Sequence, residues 1–168
     1  MGIMNLGYVI LEMKEPSKWS KFAQDVLGFG EAESYGENGT KYLRMDNAPF
    51  RYMIRKGTED RFLAGGYEIS SKNDFEKQIE LFKRSCIDVY LGSKAEADFR
   101  AVEAFASVKD PSGNTVEIFY GRASGKSFLP GHGISKFVTG LMGLGHMVLP
   151  APETEKTISF YEDIMGFG

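Results

Sequence analysis

The chain has 168 residues, with 20 Lys and Arg against 23 Asp and Glu, which gives a net charge of −3. This length suffices for one hydrophobic core, and the absence of a basic excess argues against nucleic acid and anionic membranes as partners. The single cysteine, Cys86, excludes an intrachain disulfide, and no apolar run is long enough to span a membrane. We therefore expect a cytoplasmic protein.

The first predicted module covers residues 6–56. It begins with an apolar strand over 6–11, and a helix follows from Glu15-Pro16-Ser17 to Gly28. Strands are predicted over 40–45 and 50–55, on either side of a turn. Helical spacing predicts that one face of the helix is buried through Trp19, Phe22, Ala23, Val26 and Leu27.

A second module of similar order is predicted over residues 63–121, so that residues 1–121 form one domain of two modules. After it, residues 122–142 form a Gly- and Ser-rich connector, and a third unit opens at Gly143. The elements predicted within the second module are strands over 63–70, 87–91, 103–109 and 115–120, and helices over 73–85 and 94–99. The last two strands are joined by a turn at 110–113, where proline and glycine suit the backbone angles.

The segment 6–30 recurs without a gap at 144–168, and ten of its 25 positions are identical. A repeat of this length indicates a duplicated structural unit. Tyr8 of the first copy corresponds to His146 of the second. Only the second copy therefore offers an imidazole to a metal ion. In the strand predicted there, alternation places His146 and Val148 on one face and Met147 on the other.

Three motifs extend this pattern: GLGHMVL at 143–149, DPSGNTVEIFYG at 110–121 and FLPGHGISKFVT at 128–139. They resemble the type I extradiol dioxygenases of the vicinal oxygen chelate superfamily, most closely the 2,3-dihydroxybiphenyl 1,2-dioxygenase branch. The resemblance implies an α+β fold of paired βαβββ modules, with two complete modules and the start of a third. Residues 143–168 would then be the beginning of a metal-binding catalytic domain.

The resemblance also implies a site. His146 would be the first ligand of Fe(II), with Mn(II) as the alternative ion, and Val148 would line the substrate pocket. A second histidine, a glutamate ligand and the catalytic acid and base would lie beyond Gly168, so none of the catalytic residues falls within this chain. For His146 alone, a hydrogen-bonded histidine without a ligand role is the competing interpretation.

The implied reaction is the oxygen-dependent cleavage of a catechol ring, as in the catabolism of aromatic hydrocarbons. With one of three ligands present, the 168 residues alone are expected to be an inactive portion of a longer enzyme. An apolar helix face is expected to be exposed and to drive assembly into a homo-oligomer. That face consists of Phe160, Tyr161, Ile164 and Met165.

Other candidates receive structural interpretations. Glu117 stands where the superfamily often has a metal carboxylate, but its module partner is Tyr8, so we expect it to be hydrogen-bonded or paired. His132 is expected in a solvated loop and Cys86 in the core.

Two alternative functions remain. One is a two-module protein that sequesters a ligand in a cleft lined by Tyr8 and Glu117. The other is a metal-dependent isomerase or lyase of the glyoxalase type, against which Tyr8 argues because it replaces a ligand.

Overall fold

The structure, a computed structural model, describes residues 2–33, 35, 39–139 and 143–167. The strands within these ranges are β1 (Ile3–Met13), β2 (Gly30–Glu31), β3 (Lys41–Arg44), β4 (Tyr52–Lys56), β5 (Arg61–Ile69), β6 (Tyr90–Leu91), β7 (Ala104–Lys109) and β8 (Thr115–Tyr120). The helices are α1 (Pro16–Leu27), α2 (Lys72–Arg84), α3 (Lys94–Phe99) and α4 (Thr154–Ser159), and α4 continues into a π-helical turn, Phe160–Ile164. Every helix in the described part of the chain is too short or too polar to cross a bilayer.

The strands form one mixed sheet in the order β2-β3-β4-β1-β5-β8-β7-β6. Within each module the first and last strands are parallel neighbours, β1 with β4 and β5 with β8. The modules meet through the antiparallel pairing of β1 with β5 at the centre of the sheet. This arrangement confirms the predicted α+β fold and the βαβββ order of both modules.

Local signals explain where the helices begin and end. Pro16 opens α1, and Gly28 ends it with a φ of 73°, a left-handed conformation that glycine adopts without steric cost. The side chain of Ser71 caps α2 by accepting from the Asp74 amide. Ser93 and Glu96 form a capping box on α3, and the hydrogen bonds from Ser93 lower the pKa of Glu96 to about 2.

The predicted buried face of α1 is partly wrong. Phe22 and Val26 are 49% and 60% exposed, whereas Ser20 and Ala23 are buried. Ala23 packs with Leu43 and Ile54 of the sheet. A small residue at this contact lets the helix lie close to the sheet, and the two larger side chains turn outward.

Cys86 is exposed, so its assignment to the core was wrong. The helix ends at Arg84, and Cys86 takes a left-handed conformation with a φ of 55° just beyond it. This turn carries the side chain off the apolar face of α2. His132, by contrast, is exposed in the connector as predicted.

The strand predicted at 144–149 is not formed among the described residues. Gly143 makes an isolated parallel bridge with Leu6, and the Leu144 amide donates to the Leu6 carbonyl at 3.0 Å. Residues 146–150 follow without ladder pairing. A strand needs a neighbour that satisfies its backbone groups, and in the described chain only the start of this segment finds one.

The final helix packs on the second module. Phe160 and Met165 are 4% and 2% exposed, and the Phe160 ring stacks on Phe82 of α2. Gln78, itself buried, donates to the Ile164 carbonyl at 2.9 Å. The expectation that this helix exposes its apolar face was therefore wrong, because α2 and the sheet cover most of it.

Candidate functional site

A buried polar cluster links the two modules inside the sheet. The Tyr8 hydroxyl on β1 donates to Glu117 Oε2 on β8 at 2.7 Å. Arg100 donates two hydrogen bonds to the same carboxylate, from Nε to Oε2 at 2.7 Å and from Nη2 to Oε1 at 2.6 Å. Tyr8 and Glu117 are only 2% and 3% exposed. The cluster is thus an ion pair in which Arg100 donates two hydrogen bonds to Glu117, and the Tyr8 phenol donates a third.

Strand geometry places these groups. The Tyr8 ring stacks on Phe119 at 4.9 Å and lies against Gly66, where a Cβ would come within 2.2 Å of the ring. Gly66 therefore makes room for the phenol. Arg100 follows α3 directly, and its guanidinium lies 3.8 Å from the centre of the Phe105 ring. The sequence offered no spacing signal for Arg100, which our prediction missed.

The electrostatics fix the protonation states of Tyr8 and Arg100. Burial, and then the charge of Glu117, raises the pKa of Tyr8 well above its usual value. Burial opposes the charge of Arg100, but the hydrogen bonds and charge of Glu117 outweigh it and raise the pKa of the guanidinium. The phenol is therefore neutral and the guanidinium is charged at neutral pH.

This arrangement confirms that Glu117 is hydrogen-bonded and paired. Both carboxylate oxygens already accept hydrogen bonds, and the guanidinium supplies the compensating charge. The sequestration alternative requires Tyr8 and Glu117 to line an open cleft, but both side chains are buried. Where the repeat would place a metal site in this domain, an ion pair stands instead.

The second copy of the repeat places its histidine differently. His146 is exposed, and it lies at a cavity of about 660 Å³ between the final helix and the part of the sheet formed by the start of β1 and the end of β5. Val148 is 87% exposed and does not line this cavity. The predicted roles of His146 as a ligand and Val148 as a substrate contact stay predictions.

The cavity lining also includes three aromatic residues, two of which carry hydroxyl groups. Tyr67 and Tyr161 both contact Phe167, at ring distances of 5.2 Å and 5.4 Å. Burial, and then the charge of Asp110, raises the pKa of Tyr67 to about 12. Burial also raises the pKa of Tyr161. Neither phenol is poised to act as a base near neutral pH.

The described residues do not complete a metal centre. Among them no three His, Cys, Asp or Glu side chains cluster in a way that could hold a metal ion. Asp110, the acidic residue lining the cavity beside His146, is 4% exposed and accepts from both the backbone and the side-chain amide of Asn114. One exposed imidazole does not meet the requirement of two histidines and a carboxylate.

A second buried ion pair lies under the connector, beside a cavity of about 690 Å³. Arg51 is 3% exposed, and it donates to Asp46 through Nε and Nη2 and to the Gly7 carbonyl through Nη1. Burial works against ionisation of Asp46, but the hydrogen bonds from Arg51 prevail and lower its pKa. This pair fixes the turn before β4 to the middle of β1.

Comparison with known proteins agrees with the architecture. Residues 6–57 match the family model described as Dihydroxybiphenyl dioxygenase BphC D1. The chain is 33% identical over 169 residues to the biphenyl-2,3-diol 1,2-dioxygenase of Paraburkholderia xenovorans strain LB400, covering 99% of this chain and 56% of that protein. It is 32% identical over 167 residues to a protein of Rhodococcus jostii strain RHA1 named iron-dependent extradiol dioxygenase, covering 99% and 55%.

A solved structure gives the same result. The crystal structure of BphC, a halotolerant catechol dioxygenase, superposes with a TM-score of 0.92 at 27% identity, covering 99% of this chain and 56% of that chain. The chain spans about half the length of the curated relatives it matches. In sequence and in fold, the chain is similar to extradiol dioxygenases over about half of their length, and it has the vicinal oxygen chelate fold.

Proposed function

We propose that these 168 residues are part of an enzyme that cleaves a catechol-type aromatic, such as 2,3-dihydroxybiphenyl, with O2 at a mononuclear iron site. The observation that supports this function is similarity along nearly the whole chain to relatives named as extradiol dioxygenases, in both sequence and fold. The substrate would be a small aromatic diol from the catabolism of aromatic hydrocarbons.

In this proposal His146 is one ligand of Fe(II), with Mn(II) as the alternative, and Val148 contacts the substrate. The remaining ligands and the catalytic acid and base would come from polypeptide outside these 168 residues. The exposure of both side chains supports this, because each is free to meet groups that the described residues do not supply. Residues 1–121 would form the N-terminal domain, 122–142 the connector and 143–168 the start of the metal-binding domain.

We include cytoplasmic location and homo-oligomerisation in the proposal. The exposed free thiol of Cys86 fits a reducing compartment. Phe22 and Val26, exposed one turn apart on α1, offer an apolar contact for a second copy.

The test is an absorbance assay for ring-opened product after anaerobic loading with Fe(II). The 168-residue chain, given 2,3-dihydroxybiphenyl in air, is expected to retain no iron and to form no coloured product. The protein encoded by the complete reading frame is expected to retain iron and to form the coloured product. Product from the 168-residue chain would overturn its assignment as an inactive portion.

Calorimetry with the same diol in the absence of metal addresses the sequestration alternative. Tight binding by the 168-residue chain, together with no turnover by the complete protein, would favour a ligand-sequestering module over an enzyme.

A further inference from the structure

The segment that carries His146 is fixed to the N-terminal domain on both sides of the histidine. Before it, the Leu144 amide donates to the Leu6 carbonyl at 3.0 Å. After it, the Asn114 side-chain amide donates to the Pro150 carbonyl at 2.9 Å. The segment between these hydrogen bonds is short, so its path is constrained at both ends although it pairs with no strand.

A third contact lies between the two. The tip of the Met147 side chain lies against the backbone of Gly65 on β5: a Cβ built on Gly65 would be 2.2 Å from Met147 Cε and 3.0 Å from its Sδ. Because such a separation is far below van der Waals contact, the methionine occupies space that a side chain at position 65 would need. Gly65 is thus a seat for Met147.

The contact of Met147 with Gly65 constrains how the neighbouring histidine is exposed. Exposure alternates along the segment: His146 and Val148 are exposed, whereas Met147 and Leu149 are half-buried. Successive side chains of an extended segment point in opposite directions. With Met147 held against the sheet, His146 keeps an exposed side chain at the cavity between the sheet and the final helix.

The Asn114 anchor is itself rigidly placed. Its backbone and side-chain amides both donate to Asp110, at 2.8 Å and 2.9 Å. In the same turn, the Ser112 hydroxyl accepts from the Glu153 amide at 3.1 Å and bonds with the Thr157 hydroxyl at 2.8 Å. One turn between β7 and β8 therefore holds both the end of the His146 segment and the start of α4.

We propose that Gly65 and Asn114 are positioning residues for His146, so that the N-terminal domain, which has Tyr8 at the corresponding position of its own repeat, orients the metal ligand of the next domain. The ligand role of His146 rests on the proposed function. The orientation of the segment rests on the contacts alone.

Hydrogen exchange of the 168-residue chain, read by mass spectrometry over residues 144–150, tests the proposal without metal or turnover. Asn114→Ala is expected to speed exchange there roughly tenfold, chiefly at the Leu144 amide that donates to Leu6, because it removes one anchoring hydrogen bond. Gly65→Ala is expected to speed it by a smaller factor, because the flexible tip of Met147 can shift. Exchange in β1 and β8 should be unchanged. Gly131→Ala is the matched control, because no atom lies within 4 Å of a Cβ built there.

A double variant separates positioning from general damage to β5. If the methyl of Gly65→Ala acts by displacing Met147, then Gly65→Ala combined with Met147→Ala should exchange no faster than Met147→Ala alone. Additive effects, or faster exchange throughout β1 and β5, would show that the glycine matters only to the sheet. Unchanged exchange over 144–150 in both single variants would overturn the proposal.

The outcome is independent of the proposed function. If the exchange results are as expected but the complete protein binds no iron, the positioning stands and the ligand role of His146 fails. If the complete protein binds iron and both single variants leave exchange unaltered, the ligand role stands and the positioning fails.

Discussion

The Tyr8 hydroxyl donates a 2.7 Å hydrogen bond to Glu117, which lies 109 residues further along the chain. Tyr8 holds the position that His146 holds in the second copy of the repeat. A protonated phenol whose hydrogen is donated to a carboxylate is a poor metal ligand, whereas a neutral imidazole offers a nitrogen lone pair. Because Arg100 binds the same carboxylate, the polar centre between the two modules is a hydrogen-bonded ion pair with a structural role.

Tyr8→His tests whether one substitution can create a metal-binding site beside Glu117. We expect the variant to bind no Fe(II) or Co(II) at stoichiometric levels in equilibrium dialysis, because Arg100 still neutralises and occupies Glu117. Tyr8→Phe serves as the control without an imidazole. Retention of one metal ion per chain by Tyr8→His alone would show that the guanidinium yields to a metal.

Arg100→Met should be strongly destabilising. It leaves the Glu117 charge buried without a partner, a loss of about 3–5 kcal/mol in the free energy of unfolding by urea. Arg100→Met combined with Glu117→Met removes both charges and should recover much of that loss. Lys83→Met, which breaks an exposed pair with Glu80, should change stability little. If the single and double variants were equally unstable, packing and not the buried charge would account for the effect.

Alkaline pH should weaken the fold through Tyr8. Its pKa is raised in the folded state, first by burial and then by Glu117, so the unfolded chain releases this proton at a lower pH than the folded chain. The contribution is fully present below the unfolded pKa of about 10 and is lost as pH rises through the folded value. Urea unfolding between neutral pH and about pH 11 measures it. Tyr8→Phe should show a shallower decline over this range, and an identical decline would contradict the assignment to Tyr8.

Phe160→Ala and Phe22→Ala form a matched pair, because the repeat places both residues at the same position. Phe160 is 4% exposed and Phe22 is 49% exposed. We expect Phe160→Ala to lower the free energy of unfolding by about 3–5 kcal/mol and Phe22→Ala to change it by less than about 0.5 kcal/mol. Similar losses in both would mean that the docking of the final helix adds little stability.

Self-association should depend on α1 instead of the final helix. Sedimentation velocity of the 168-residue chain is expected to show a dimer or larger species that dissociates when Phe22 and Val26 are both replaced by Ser. Lys21→Ser, an exposed change on the same helix, is the control. A wild-type chain that stays monomeric at high concentration would remove the apolar contact on α1 as the basis for assembly.

Periodicity, turn residues and the internal repeat predicted the order of the modules. The β7–β8 turn and the end of α1 follow from Pro111, Gly113 and Gly28, whose backbone preferences act locally. The outward turn of Phe22 and the exposure of Cys86 do not follow, because each depends on contacts between elements. Helical spacing defines a face but not which neighbour covers it.

The candidate site, too, could be predicted from the sequence only in part. The replacement of histidine by Tyr8 was visible in the repeat, and with it the structural role of Glu117. No local sequence pattern marks Arg100, which completes the ion pair. None marks Gly65 either, whose lack of a side chain leaves space for Met147. They meet their partners only when β8 pairs with β5 and the connector returns the chain to the sheet.

The strand order has a consequence for synthesis on the ribosome. β1 is translated before the other strands of this sheet, yet it lies at the middle of the sheet between β4 and β5. Its two edges stay without native partners until residues 52–69 have left the exit tunnel, and β8 cannot close the second module until residue 120 follows. Until its neighbours emerge, β1 is therefore an apolar strand with both edges open, the kind of surface on which chaperones act.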